Sequence, residues 1–169
     1  GKYSVSNSNG VKKTFTVTSV DVRAETYSSL MTHKDLVKDA LYLVDIGGTD
    51  LSGVSVNKVP DTNKMFTTEK GMNIFNLELG KVLTSKLLES YSDKDVELIL
   101  NKYENLPEEY RTLIDEFAEE YIRIHIYQPL KEIGYKPLIH KLAFCGGGSI
   151  ALKRYLAKDN NVTILENAL

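Results

Sequence analysis

The stretch LYLVDIGGTDLSGVSV, residues 41–56, decides how the rest of the chain is read. It opens as an apolar run, breaks at Asp45-Ile46-Gly47-Gly48-Thr49, and resumes as an alternating strand. A short apolar run bounded by turn residues is the pattern of a strand buried on both faces, and alternation that of a half-buried one. The expected layout is a strand over 41–45, a turn over 46–50 and a second strand over 51–58. The turn admits two readings. One is a plain hairpin connection, which glycine serves by tolerating positive φ. The other is a loop whose N–H groups gather around phosphate oxygens, because glycine also lets backbone approach a ligand closely. A carboxylate beside such a nest suits an anion only if a divalent cation lies between them. Asp45 is therefore a candidate to hold Mg²⁺ through water, and Thr49 to donate its hydroxyl or N–H.

A second junction of this kind is Cys145-Gly146-Gly147-Gly148-Ser149. It follows the apolar run HKLAFC and leads into SIALKRYLAK, a helical pattern over 149–158. A helix opening directly after glycines turns its positive end toward open space, and the glycines leave room for a flat group such as a purine or ribose. Either loop alone is more often a simple turn. The two together, each ending an apolar strand, point to a ligand.

Outward from these loops the pattern is mixed α/β. Residues 3–6 and 12–23 read as a hairpin around an Asn9-Gly10 turn. Residues 25–38 are weakly helical, with Thr32 a possible cap. VPDTN (59–63) reads as a turn and KMFTTE (64–69) as a third strand. Helical spacing of apolar residues runs over 71–90, and Ser92 with an acidic first turn opens a helix over 92–105. A long helix is expected over 106–134, with Pro107 in its first turn, Pro129 kinking or ending it, and Gly134 closing it. NVTILE (161–166) reads as a last strand that, with the one before Gly146, extends the hairpin sheet in parallel.

The 169 residues include 21 basic and 23 acidic side chains, a net charge of −2, which makes no electrostatic case for direct nucleic-acid binding. Cys145 is the only cysteine, so no internal disulfide can form. No apolar run approaches the roughly 18–20 residues that span a bilayer, and no signal peptide is visible. The expected location is cytoplasmic, with no membrane partner. The three histidines, His33, His125 and His140, show no metal-ligand spacing. Cys145, at a buried strand end, reads as packing.

At the two glycine loops the chain resembles the actin, sugar-kinase and chaperone-ATPase superfamily. Within it the resemblance is to the ParM/StbA branch of bacterial actin-like plasmid-segregation proteins. LYLVDIGGTDLSGVSV resembles that branch's second phosphate loop, LAFCGGGSIALKRYL its adenosine loop and following helix, and EKGMNIFNLELGKVL the segment where a glycine opens a helix near the nucleotide. VTSVDVRAETYSSL resembles the strand and turn that cross from the first domain. The resemblance covers about residues 12–169. It implies an α/β, actin-like (ribonuclease H-like) ATPase fold, a mixed sheet with a β-hairpin phosphate loop and flanking helices. Residues 1–24 would be a strand hairpin of the first domain. Residues 25–169 would be the second domain, with a helical insertion at about 72–105 and its C-terminus truncated.

The roles follow from the same resemblance. Glu25 would be the catalytic residue that positions the attacking water, and Asp45 the Mg²⁺-associated carboxylate. Gly47, Gly48 and Thr49 would wrap the β- and γ-phosphates. Gly71 would lie near the ribose, and Gly146, Gly147 and Gly148 would border the adenosine. The helix face from Glu120 to Arg123 would line the base. The implied cofactors are Mg²⁺ and ATP, with GTP the alternative. The implied activity is ATP hydrolysis coupled to polymerisation, with the filament itself and a DNA-binding adaptor of ParR type as partners. Two departures stand out: Asp50 follows the Thr where a neutral residue is usual, and the family's first phosphate loop is absent. Efficient hydrolysis by this stretch alone is therefore not expected. A ROK-type sugar kinase also carries an Asp-Ile-Gly-Gly-Thr loop, but at its N-terminus and ahead of a Gly-Asp-x-Gly-like motif that is not found here. A non-hydrolysing actin-like scaffold is the third reading.

Overall fold

The computed structural model describes residues 1–19, 25–33, 35–158 and 160–166. The chain begins with a two-stranded antiparallel hairpin, β1 (Lys2–Ser6) and β2 (Lys12–Thr16). Its turn is a five-residue loop rather than a two-residue one. The Asn7 side chain accepts from the N–H groups of Asn9 and Val11, and Gly10 takes a φ of +76°. Period-two alternation puts Tyr3 and Val5 on one face, opposite Phe15 and Lys13. Every residue of both strands is exposed. The expected continuation of β2 to residue 23 is not seen as far as residue 19, and residues 20–24 lie outside those described.

Next come α1 (Glu25–Ser28) and two 3₁₀ turns, Ser29–Thr32 and Leu36–Lys38. Thr32 is the last residue of the first turn and its side chain lies outside what is described, and Asp35 precedes the second. The main sheet contains β3 (Leu41–Ile46), β4 (Leu51–Asn57), β5 (Val59–Thr68), β6 (Lys141–Cys145) and β7 (Val162–Ile164), in the order β5-β4-β3-β6-β7. The β3–β4–β5 meander is antiparallel, and β6 and β7 add in parallel. β3 is central, so both its faces are covered. Tyr42, Val44 and Ile46 join the larger core, Leu41 and Leu43 the smaller. That is why its sequence is a continuous apolar run.

The segment VPDTN is not the connection the sequence suggested. β4 turns directly into β5 at Lys58, whose φ is +64°. Val59, Pro60 and Asp61 already pair with Asn57, Val56 and Ser55. The register then slips, since Val54 pairs with Met65, and residues 62–64 bulge out. The turn signal thus marks a bulge in an edge strand, where Pro is tolerated because no ladder N–H is needed.

The larger core lies under α2 (Met72–Leu87), α3 (Asp93–Asn101), α4 (Glu108–Ile122), α5 (Gln128–Glu132), α6 (Gly147–Ala151) and α7 (Lys153–Leu156). α3 carries a full capping box, with Ser92 and Asp95 each bonding the other's backbone N–H, and ends in a 3₁₀ turn, Tyr103–Asn105. The expected long helix runs unbroken from Glu108 to Glu132, with a π turn inside it ahead of Pro129. Pro129 has no N–H for the carbonyl four residues back and its ring crowds it. The backbone widens into a π turn over Arg123–Tyr127, in which Gln128 N–H bonds to Arg123 O. The helix after β6 starts at Gly147, two residues earlier than expected, and breaks at Leu152.

The rod made by α4, the π turn and α5 sets the long axis. Tyr121 donates to Lys70 O (2.9 Å) at the C-terminal end of the sheet, while Tyr42 OH donates to Ile133 O (3.3 Å) at the N-terminal end. At 1.5 Å per residue, Glu108 stands about 20 Å beyond Tyr121. Thus α2, α3 and the first half of α4 form a helical tier above the sheet's C-terminal edge.

Candidate functional site

Both glycine loops sit on that C-terminal edge, because β3 and β6 are parallel neighbours and Asp45 lies opposite Cys145. Ligands in open α/β sheets bind at this edge.

The first loop closes between paired Ile46 and Leu51. Gly47 N–H bonds to Asp50 O (2.9 Å). The three carbonyls are then drawn away from solvent. Gly71 N–H bonds to Thr49 O (3.0 Å), Met72 N–H to Gly47 O (2.9 Å) and Asn73 N–H to Gly48 O (2.8 Å). The first-turn donors of α2, which a helix start leaves without intrahelical acceptors, are thus used to hold the loop. Among the described residues, the N–H groups of Gly48 and Thr49 have no backbone acceptor, and both residues are exposed. A turn whose carbonyls are taken and whose exposed N–H groups are not leaves donors for an anion.

The second loop is fitted against the end of β3. A Cβ at Gly146 would lie 2.3 Å from Asp45 Oδ1 and 2.7 Å from Ile46 O, and Gly146 has a φ of +81°. A Cβ at Gly148 would meet Ile46 Cγ2 at 2.4 Å and Met72 Cγ at 2.8 Å. Gly147 is exposed and its Cβ position is open space. The glycines sequence analysis grouped as ligand-binding therefore divide. Gly71, Gly146 and Gly148 are held by packing, whereas Gly48 and Gly147 face outward. Gly147→Ala is expected to keep its thermal midpoint within a degree or two, because its Cβ enters open space. Gly148→Ala is expected to lower stability by about 1–3 kcal/mol through overpacking. Thermal melts of each variant check the division.

Asp45 lies on the smaller-core face with Leu41 and Leu43, facing the same side as Ser52, its partner on β4. Thr26 Oγ1 of α1 is 2.7 Å from Ser52 Oγ. The backbone of Glu25, the first residue of α1, is therefore brought to the level of Asp45 on the same face. The Glu25 side chain lies outside what is described. Among the described residues no group of three or more His, Cys, Asp or Glu gathers to hold a metal directly. A cation here would rest on Asp45, its own water and a ligand's oxygens.

Cys145 is fully buried. Burial, with a smaller contribution from Asp45, pushes its thiol up to about 12, so it stays protonated and is no nucleophile. The segment named for the base reaches the site through one residue. Tyr121 OH bonds to Lys70 O beside Gly71, and burial raises its phenol. Glu120 and Arg123 are exposed and pair with each other (2.6 Å).

Sequence reasoning missed a recess of about 230 Å³ beside the two loops, lined by Met72, Asn76, Glu97, Leu100, Asn101 and Ala151. Asn76 is 4% exposed and its Oδ1 has no hydrogen-bond partner. A buried amide oxygen without a donor is costly, and a ligand donor would satisfy it. Asn73 contacts the loop, with its side chain 3.8 Å from the Cβ position of Gly48. The available signal was MNIFN, where two asparagines three apart interrupt an apolar helix face.

The His125 ring packs at a tilt against Tyr121, with centroids 4.5 Å apart, and burial first, then Lys70, lowers its pKa. The unfolded chain therefore binds this proton more tightly than the folded one. The contribution of His125 is full above the unfolded value of about 6.5 and falls as pH drops below it. His125→Gln is expected to flatten the stability profile over that acidic range, as read from urea midpoints across pH.

No protein-family model matches the chain, and no curated protein does. Solved structures do. An Alp12 filament structure superposes with a TM-score of 0.74 at 20% identity, covering 99% of this chain and 55% of Alp12. The fold is actin-like. The archaeal actin homolog Ta0583 gives a TM-score of 0.66 at 12% identity over 96% of this chain and 55% of its own. ParM of Bacillus thuringiensis, solved with ATP, gives 0.57 at 13% over 99% and 57%. This actin-like chain thus spans a little over half the length of these neighbours, and its five-stranded mixed sheet with flanking helices is their fold.

Proposed function

We propose that this chain is the second domain of an actin-like ATPase that binds Mg²⁺ and ATP and polymerises. The observation that carries the reading is the first glycine loop, with its carbonyls tied down by α2 and the N–H groups of exposed Gly48 and Thr49 left without a backbone acceptor, at the end of the strand that carries Asp45. On this reading Gly48, Thr49 and Gly147 receive the phosphates and ribose, and the recess at Asn76 takes the base. Asp45 orients the metal's water shell. The metal, when bound, neutralises charge on the phosphate oxygens. Glu25 holds the water that attacks. The filament neighbour Alp12 and the ATP-bound neighbour ParM support polymerisation and nucleotide binding. Plasmid segregation through an adaptor of ParR type, with DNA held by that adaptor and not by this chain, agrees with the net charge of −2. The cytoplasm is the proposed location; among the described residues no helix is long and apolar enough to cross a membrane.

The hairpin β1–β2 we assign to the first domain. Its Tyr3 and Phe15 rings stack at 5.5 Å on a face that nothing here covers among the described residues.

The test is light scattering with phosphate release from the intact protein that carries this chain, given Mg²⁺-ATP or Mg²⁺-GTP and no sugar. Scattering that rises with nucleotide and decays as phosphate appears is the expected result. Turnover only on adding a hexose would replace the reading with a sugar kinase. Silence in both would leave a scaffold.

A further inference from the structure

The recess at Asn76 has a wall on each of two sides. Leu100 and Asn101, at the end of α3, form one, and Ala151 of α6 the other. α3 is anchored near its start. Val96 is fully buried, and a Cβ on Gly80 of α2 would lie 3.4 Å from its Cγ2. The far end of α3 is not close-packed. A second cavity of about 160 Å³ adjoins the recess, and Leu100, Asn101 and Ala151 line both. Beyond these three it lies between Tyr103, just past α3, and Arg154 and Tyr155 of α7. Across a hollow seam few atoms touch, so packing alone does not set its width.

A carboxylate spans the seam instead. Asp115 of α4 accepts from Tyr103 OH, 2.7 Å from Oδ1 and 2.6 Å from Oδ2, and from Tyr155 OH, 2.7 Å from Oδ1. Its neighbours Ile114 and Ala118 are fully buried, so Asp115 projects from a rod seated in the core. Asp115 itself lines neither cavity. Bonds to an ionised acceptor are short and strong. Burial first, then Asp115, raises both phenols, so each keeps the proton it donates. Arg154 straps the same seam. Its guanidinium carbon stands 3.6 Å over the Tyr103 ring, and it pairs with Glu104.

We propose that Asp115 is a positioning residue for the nucleotide base: by holding Tyr103 and Tyr155 together, it fixes the gap between α3 and α6 that the base enters. This rests on the reading above that the recess at Asn76 takes the base. Asp115 acts through the two phenols and not by contact with the nucleotide. With one phenol released, the end of α3 is free to move from α6, and the recess is no longer formed in advance of binding. The phosphate half of the site is held separately, by the α2 donors on the carbonyls of the first glycine loop. Base and phosphate affinity are therefore separable.

Calorimetry of the intact protein that carries this chain, with Mg²⁺-ATP and with Mg²⁺-tripolyphosphate, reads the two halves. Tyr103→Phe and Tyr155→Phe keep the rings and each remove one phenol from Asp115. Thermal melts set a temperature at which every variant is folded. Each variant is expected to weaken Mg²⁺-ATP about tenfold and to leave tripolyphosphate within about twofold. Asp115→Asn added to either is expected to cost less than it does alone, because both act through the same bonds. Unchanged ATP affinity in both phenol variants would overturn the proposal. So would equal loss for ATP and tripolyphosphate, which marks a general loosening of the domain. Wild type that binds tripolyphosphate as tightly as ATP would instead remove the reading that the recess takes the base, and this inference with it.

Discussion

Gly71→Ala is expected to destabilise the protein by about 3 kcal/mol or more, seen as a lowered urea midpoint with an unchanged slope. The reason is steric and nothing else. Gly71 has φ −76° and ψ −169°, a conformation any residue adopts, so the loss cannot come from backbone strain. A Cβ there would lie 2.6 Å from Gly48 O, 2.7 Å from Gly47 O and 2.7 Å from the carbonyl carbon of Thr49. These are backbone atoms, with no flexible side-chain end to move aside. The clash falls where Gly71, Met72 and Asn73 donate to the three loop carbonyls. Relief requires the loop to lift from α2, which costs those bonds, each worth roughly 0.5–1.5 kcal/mol net. The variant should also lose nucleotide binding, because a lifted loop no longer holds its N–H groups in place. A variant as stable as wild type would show that the loop and helix are not seated together in this way.

Asp45→Asn is expected to act on the ligand and spare the fold. The substitution keeps the shape but removes the charge. If Asp45 holds a cation through water, affinity for the Mg²⁺-nucleotide falls by about 10–100-fold, the usual cost of losing an outer-sphere carboxylate. Affinity for nucleotide in EDTA should barely change, and calorimetry with and without Mg²⁺ separates the two. Phosphate release by the intact protein should drop in parallel. Equal loss with and without Mg²⁺ would instead make Asp45 a structural partner of the second loop, whose Gly146 it abuts.

The two glycine loops and their strands were legible in the sequence because their signals are local. An apolar strand ending on Asp-Ile-Gly-Gly-Thr and another ending on three glycines need only period and turn chemistry to be read. β3 and β6 then bring the two together, since parallel neighbours end at the same edge. What the glycines do was not legible. Gly146 and Gly148 also fit against Asp45, Ile46 and Met72, a packing role their sequence does not announce. Only the packing of a strand 100 residues away separates them from Gly147. The α3–α2–α6 recess escaped for the same reason, because Asn76, Glu97 and Ala151 meet only in the fold. The details of the elements that went unread have nearer causes. Pro129 was recognised, but its remedy, a π turn six to two residues ahead of it, has no sequence mark of its own. VPDTN carries turn residues that serve a bulge, and periodicity cannot tell a bulge from a chain reversal.

The central claim is that the Gly48 and Thr49 N–H groups of the first glycine loop receive the phosphates of a nucleotide. Amide chemical shifts of the ¹⁵N-labelled chain, followed through a titration with Mg²⁺-ATP, test it directly. The account predicts saturable shifts concentrated at Gly48, Thr49 and Gly147, with the Asn76 side-chain amide moving in step. Shifts absent at millimolar nucleotide, or gathered away from both glycine loops, would contradict it.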